Sequence, residues 1–208
     1  KMLYLLGAEI ILTPASKGMG GAIEKAQEIE SNTPNAFMPQ QFSNNSNPEI
    51  HCQTTAEEIW SDTGGKIDAI IAGIGTGGTF TGIGRTLKKR KPNIRMIAIE
   101  PEDSPIISGG IPGPHKIQGI GAGFIPDNLD TSLIDEVIQI GNETALITAR
   151  QAARLEGLPI GISSGAALAA ALEVGSRSDM LDKKIIVILP SFAERYLSTA
   201  LFDGINNR

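Results

Sequence analysis

The chain alternates between two hydrophobic patterns over most of its length. Short continuous apolar runs predict buried strands at residues 66–74, 94–101, 136–140 and 183–190. Apolar residues at helical spacing predict helices at residues 49–63, 79–90, 142–157 and 163–177. Helices that alternate with wholly apolar strands are typical of a parallel sheet covered on both faces. The pattern therefore predicts an α/β fold, a three-layer open and mainly parallel twisted sheet with helices on both faces.

The N-terminal residues form a separate part of this pattern. We expect them to contain the end of a helix, a strand at residues 9–13 and an amphipathic helix at residues 21–30. Residues 37–49 carry three Asn and two Pro, which favours a loop. We therefore divide the chain at this loop, with residues 1–43 as the C-terminal remnant of a smaller α/β domain and residues 44–208 as a larger α/β domain.

Composition narrows the class of protein. Hydrophobic residues make up 41% of the 208 residues, too many for a disordered chain, and no apolar run is long enough to span a bilayer. A net charge of −5 argues against a nucleic-acid partner, because binding a phosphate backbone needs a basic surface. The single cysteine, Cys52, excludes an internal disulfide and fits a reducing compartment, so we expect a cytoplasmic protein.

A glycine-rich loop, GTGGT at residues 75–79, joins a predicted strand to a predicted helix. Backbone N–H groups and the positive end of the helix converge at such a junction, which favours an anion. Glycines let the backbone approach the anion closely, and the hydroxyls of Thr76 and Thr79 are suited to donate to phosphate oxygens. The alternative is a turn that only connects a strand and a helix.

The spacing of the glycines does not decide which phosphate the loop holds. Gly73, Gly75 and Gly78 satisfy the dinucleotide pattern G-x-G-x-x-G, and Glu100 ends the next predicted strand, where an acidic residue would bind a ribose. Against this, a dinucleotide fold would open with that strand, whereas a helix, a strand and another helix precede it here. The dinucleotide hypothesis therefore stays open as an alternative.

Two serines provide a second feature. Ser163 and Ser164, in GISSGAA, stand at the start of a predicted helix of small residues. Each serine is suited to cap that helix, but one beside an anion loop is also suited to face a ring nitrogen of a bound cofactor.

His51 and Cys52 are neighbours that would point about 100° apart on a helix, which argues against a catalytic pair or a metal site. His115 lies in a long irregular segment at residues 103–130, where it either braces the loop or serves a function.

Five segments occur in a fixed order: PQQFSNNSNPEIH, GIGTGGTFTG, PGPHKIQGIGAGFIP, GISSGAA and LPSFAERYLST. Together they closely resemble the cysteine synthase, or O-acetylserine sulfhydrylase, family of the tryptophan-synthase-β-like (fold type II) pyridoxal-phosphate enzymes. The resemblance covers essentially the whole chain and implies that the larger domain binds the cofactor phosphate. It also implies a homodimer, and a C-terminal tail of serine acetyltransferase as a possible partner.

The resemblance assigns roles to individual residues. It implies that the 5′-phosphate of pyridoxal phosphate is held by Gly75, Thr76, Gly77, Gly78 and Thr79. Ser163 would meet the pyridine nitrogen, Gln41 would help to bind the substrate carboxylate, and the backbone near Gly121 would border the substrate. In the family, acetate leaves O-acetylserine by β-elimination, an α-aminoacrylate forms and sulfide adds to give L-cysteine. A serine-using relative such as cystathionine β-synthase is the alternative.

The family's Schiff-base lysine has no counterpart in this chain. That lysine lies in a Ser/Asn-x-Lys-Asp-Arg context, and Lys17, Lys66 and Lys116 lie in different motifs. We therefore expect the lysine to belong to an upstream segment and this chain to be inactive by itself; a binding module without catalysis is the alternative. Ala193 stands where the family has glycine, and we expect modest strain there if the position needs a positive φ.

Overall fold

The computed structural model describes residues 2–205, which divide into two compact units between Gln40 and Gln41. The boundary that the sequence predicts, between residues 43 and 44, lies a few residues further along the chain. Lys1 and residues 206–208, which the predicted domains include, lie outside the described residues. Within residues 2–205 no helix combines the length and apolar character needed to cross a lipid bilayer.

The first unit is helical where it is regular. Its described residues form helices α1 (Met2–Leu5) and α2 (Gly18–Asn32), so the helix predicted at residues 21–30 is confirmed. The strand predicted at residues 9–13 is wrong, because residues 8–14 have no regular secondary structure. A strand is held by hydrogen bonds to a neighbouring strand, and the described part of this unit contains no second strand to supply them.

The second unit is built around one parallel sheet. Its described helices are α3 (Ser46–Gln53), α4 (Thr55–Thr63), α5 (Gly78–Arg90), α6 (Asn142–Glu156) and α7 (Ile162–Gly175). Its described strands are β1 (Ala69–Gly73), β2 (Arg95–Pro101), β3 (Glu136–Ile140) and β4 (Ile185–Val187). The strands lie in the order β3-β2-β1-β4 and every neighbouring pair is parallel, as the continuous apolar runs predict.

The sheet is covered on both faces, which confirms the predicted layered α/β architecture. Successive strand residues point to opposite faces, so Ile71 and Ile97 enter the core beneath α6 and α7. Ile70 and Met96 enter the core beneath α5 on the other face. Because all four strand side chains are completely buried, the central strands must be apolar on both faces.

The helix predicted at residues 49–63 is two helices, and the first begins within the predicted loop, at Ser46. The break falls at Thr54, whose φ of −120° and ψ of −74° are not helical. The Thr54 hydroxyl donates to the Ile50 carbonyl at 2.8 Å and so competes with the regular helical pattern.

The strain expected at Ala193 is absent. Ala193 begins a short 3₁₀ turn and is not among the described non-glycine residues with positive φ. Its N–H donates to the Pro159 carbonyl at 2.8 Å. The methyl group of alanine is therefore accommodated without a left-handed backbone.

Candidate active site

A cavity of about 290 Å³ lies at the carboxyl end of the sheet. From β1 the chain adds β2 and then β3 on one side, whereas β4 lies on the other side. The connections therefore diverge between β1 and β4, and ligands of open parallel sheets bind at such a point. The cavity walls come from the loop after β1, the segment after β4, the first turn of α7 and part of the long loop.

The glycine-rich loop forms one wall of this cavity. Four residues of the loop line the cavity: Gly75, Thr76, Gly77 and Thr79. Gly77 has φ +80° and ψ −13° at the start of α5, a conformation that favours glycine. Gly78 is not part of the lining: it is buried behind the loop, where a Cβ would overlap the Asn47 side chain. The loop therefore faces the cavity with its backbone and two threonine hydroxyls.

Asn47, on α3, supports one of these hydroxyls from behind the loop. Its amide Nδ2 donates to Thr76 Oγ1 at 2.9 Å and to the Gln41 carbonyl at 2.8 Å. Because Thr76 accepts this hydrogen bond, its own hydroxyl hydrogen stays available to an anion in the cavity.

His51 supports the other hydroxyl. Its Nε2 lies 3.1 Å from Thr79 Oγ1, and its Nδ1 lies 2.7 Å from Thr55 Oγ1. Burial lowers the pKa of His51 below its usual value, which favours the neutral imidazole. When the proton is on Nε2, Thr79 accepts from His51 and its hydroxyl hydrogen is free to donate to an anion.

Close packing of α3 on α5 brings His51 to the loop. A Cβ on Gly82 of α5 would lie 2.6 Å from His51 Cβ, so only glycine lets the two helices approach this closely. The Cys52 side chain contacts a different group: its Sγ lies 3.4 Å from the Gly82 carbonyl oxygen. The two neighbours therefore have different surroundings, and no spacing signal in the sequence predicts that His51 or Asn47 reaches the loop.

Ser163 faces the same cavity from the start of α7. Ser163 is only 4% exposed, and its hydroxyl has no hydrogen-bond partner among residues 2–205. Ser164 is fully buried and donates to the Ser191 carbonyl at 3.3 Å. The capping interpretation is wrong for both serines, because the N-cap of α7 is Gly161 and no side chain caps it. The Ser163 hydroxyl is therefore available to a polar group in the cavity.

The residues expected to bind substrate lie outside this lining. Gln41 is exposed, and its carbonyl accepts from Asn47 and, at 2.9 Å, from Asn128. Gly121 borders a separate void of about 10 Å³ and donates its N–H to the Ile74 carbonyl. The ring of His115 contacts the Gly121 carbonyl through Nε2 at 3.0 Å, so this histidine braces the long loop.

Glu100 does not fit the dinucleotide hypothesis. Its carboxylate is 2% exposed and accepts hydrogen bonds from the Ile107 N–H at 2.7 Å and the Ser108 hydroxyl at 2.5 Å. Both carboxylate oxygens are therefore occupied by the long loop, and neither is available to a ribose.

Among the described residues, no group of three or more His, Cys, Asp or Glu side chains is arranged to hold a metal ion.

Comparison with known proteins identifies related sequences. The family model "Pyridoxal-phosphate dependent enzyme" matches residues 1–191. Cysteine synthase A of Escherichia coli (strain K12) is 55% identical over 214 residues, which cover 99% of this chain and 66% of that protein. The chain therefore spans just under two thirds of the length of this relative.

Solved structures agree with these relatives. The crystal structure of cysteine synthase from Entamoeba histolytica has a TM-score of 0.92 at 42% identity, covering 100% of this chain and 61% of that one. The O-acetylserine dependent cystathionine β-synthase from Helicobacter pylori also has a TM-score of 0.92 at 42% identity, covering 97% and 65%. The fold is thus that of a known group of enzymes.

Proposed function

The chain belongs to the family of pyridoxal-phosphate-dependent enzymes, and we propose that it forms the cofactor-binding part of an enzyme that makes L-cysteine from O-acetyl-L-serine and sulfide. One observation carries this proposal: a neutral anion cradle and the Ser163 hydroxyl, which has no hydrogen-bond partner among residues 2–205, border the same cavity. A cofactor with a phosphate at one end and a ring nitrogen at the other matches both features.

The residues present fit pyridoxal phosphate. Backbone N–H groups at the start of α5 and the hydroxyls of Thr76 and Thr79 would hold the phosphate. Gly75 and Gly77 would allow the backbone to approach it, and Gly78 would let Asn47 pack behind the loop. When bound, the cofactor supplies the electron sink for β-elimination. The cradle contains no lysine or arginine, so hydrogen bonds and the helix dipole supply its attraction for the phosphate.

Ser163 would set the electronic state of the cofactor ring. A neutral hydroxyl stabilises a positive charge on the pyridine nitrogen less than a carboxylate does, so the nitrogen would stay largely unprotonated. A ring in that state suits β-elimination better than extended carbanion chemistry. The absence of any protein partner for the hydroxyl among residues 2–205 supports this role.

Gln41 and Gly121 complete the proposed substrate contacts. Gln41 would bind the amino-acid carboxylate, and its carbonyl shares the Asn47 amide with Thr76. This shared donor would connect substrate binding to the phosphate loop. The Gly121 backbone would border the substrate from the long loop.

The proton transfers of the proposed reaction need a lysine beside the cofactor. Among residues 2–205 no lysine lines the cavity. We propose that the Schiff-base lysine comes from residues outside this chain and that the chain alone does not turn over. A homodimer, a cytoplasmic location and binding of the C-terminal tail of serine acetyltransferase are further parts of the proposal.

A second candidate function differs in the attacking thiol. The Helicobacter pylori structure is of an O-acetylserine dependent cystathionine β-synthase and resembles this chain as closely as the cysteine synthase structure does. The same cavity would then serve a larger thiol. A third possibility, a binding module without catalysis, follows if no lysine is supplied.

The test uses the full-length protein that contains this chain. Cysteine formation is measured from O-acetylserine and sulfide and then with serine replacing O-acetylserine. Cystathionine formation is measured with homocysteine replacing sulfide. We expect the fastest turnover with O-acetylserine and sulfide. Faster turnover with homocysteine would favour the second candidate, and cofactor binding without turnover of any substrate pair would favour the binding module.

A further inference from the structure

Arg195 is the one charged residue in the described lining of the cavity. It lies in the 3₁₀ turn Ala193–Tyr196, after β4, on the side of the cavity formed by Pro190 and Ser191. Its side chain is exposed, and within residues 2–205 it has no hydrogen bond and no carboxylate at ion-pair distance. The cavity rim therefore carries one positive charge that has no ion-pair partner among residues 2–205.

Unpaired arginines are the exception in the described part of this chain. Side-chain or backbone oxygens accept hydrogen bonds from Arg85, Arg90, Arg95, Arg150 and Arg177. Arg154, on the exposed surface of α6, resembles Arg195 in being exposed and unpaired, but it does not line the cavity. The two residues therefore form a matched pair that differs in position.

The turn that carries Arg195 is firmly packed. The Tyr196 hydroxyl lies 2.9 Å from Ser191 Oγ, and a Cβ on Gly161 would overlap the Tyr196 ring. The N–H of Ala193 donates to the Pro159 carbonyl at 2.8 Å. The backbone of Arg195 is thus fixed at the rim while its guanidinium stays in solvent.

We propose that Arg195 steers phosphorylated ligands into the cavity and so sets their rate of association. This inference rests on the proposed function, in which the cavity takes the phosphate of pyridoxal phosphate. The cradle holds the phosphate with neutral groups, so the rim arginine supplies the long-range attraction that those groups lack. A solvated rim charge changes the association rate and its salt dependence more than the dissociation rate.

The size of the effect follows from Coulomb attraction. If the separation is taken as about 8 Å of water, a unit charge and a phosphate dianion attract enough to change a rate about fivefold. Salt at about 1 M shortens the screening length to about 3 Å and removes the attraction. The steering therefore has a salt signature that a packing contact lacks.

The experiment measures binding of pyridoxamine 5′-phosphate to the full-length protein freed of cofactor, by stopped-flow fluorescence. This probe carries the phosphate but lacks the aldehyde, so its binding does not depend on the Schiff-base lysine. The variants are R195Q, R195K and the control R154Q, each at about 0.01 M and about 1 M salt. Pyridoxamine, which keeps the amine but lacks the phosphate, serves as the unphosphorylated probe.

We expect R195Q to slow association about threefold to fivefold at low salt, with an unchanged dissociation rate and no difference at high salt. R195K should keep most of the wild-type rate, and R154Q should match wild type. R195Q should not slow association of the unphosphorylated probe, which lacks the group that Arg195 attracts. Wild-type association by R195Q at low salt, or an effect on dissociation alone, would overturn the inference. If wild type fails to bind the phosphorylated probe, the proposed cofactor site itself is wrong.

Discussion

Gly77 offers the sharpest test of the cradle geometry, because alanine there combines two separable costs. Its φ of +80° lies in the left-handed region, which costs an L-residue about 1–2 kcal/mol. An added Cβ would also lie 2.7 Å from Leu129 Cβ and 2.9 Å from Leu129 Cα. Carbon atoms normally pack at about 3.5–4.0 Å, so the overlap is about 1 Å and involves backbone that no rotamer change can move.

Overpacking of this kind costs about 1–3 kcal/mol, so G77A should lower the free energy of unfolding by about 2–5 kcal/mol in total. Gly64 provides the matched control, because its φ is +59° and nothing lies within 4 Å of an added Cβ. G64A should therefore cost about 1–2 kcal/mol, the backbone strain alone. The difference between the two variants measures the clash with Leu129.

Urea unfolding of both variants, without cofactor, gives these free energies. Titration with pyridoxamine 5′-phosphate then reports on the loop, since a backbone displaced from Leu129 no longer aims its N–H groups at one point. We expect G77A to bind at least about tenfold more weakly than G64A. Equal unfolding free energies for the two variants, together with equal affinities, would refute the described position of the loop.

Three further predictions concern other residues of the second unit. S163A should weaken pyridoxamine 5′-phosphate binding up to about tenfold while leaving the unfolding free energy unchanged, because the hydroxyl has no described protein partner; a loss of stability without a loss of affinity would contradict its role. Burial lowers the pKa of His51, so its contribution to stability is present above the unfolded value of about 6.5 and is lost as the pH falls through the folded pKa. Unfolding of wild type and H51N from pH 8 to pH 5 should show a shallower decline for the variant, and parallel curves would count against this assignment. E136Q should lower the free energy of unfolding by about 1–3 kcal/mol, because Arg177 donates two hydrogen bonds to Glu136 at 2.8 and 2.9 Å. E173Q, at a more exposed carboxylate, should lower it by less than about 0.5 kcal/mol. Hydrogen bonds from Arg177 lower the pKa of Glu136, so the contribution of Glu136 to stability is present above about pH 4.5 and is lost as the pH falls further. Equal losses of unfolding free energy for E136Q and E173Q in urea would rule out a special role for the Glu136–Arg177 pair.

The proposed roles of the glycine-rich loop, which would hold the phosphate, and of Arg195, which would attract it, have a physical rationale. Neutral donors fixed by Asn47 and His51 can hold a phosphate close without long, flexible cationic side chains. A cation at the solvent-exposed rim attracts the anion from a distance and need not be desolvated. The two tasks can therefore be changed separately by mutation.

The sequence by itself determined the layered α/β fold and the position of the glycine-rich loop before α5. Both depend on local information: continuous apolar runs require burial on both faces, and a glycine-rich turn before a helix favours an anion. The five ordered segments added the family and its cofactor. They did so because such motifs preserve residue types at fixed positions along the chain.

Only the tertiary structure decided what stands around that loop. His51 and Arg195 are far from it in sequence. His51 reaches the loop and Arg195 reaches the cavity because glycines at positions 82 and 161 allow close packing. The strand predicted at residues 9–13 failed for a related reason, since a strand depends on a partner that local pattern cannot supply. Contacts between distant segments depend on packing, and packing is fixed only when the whole unit is folded.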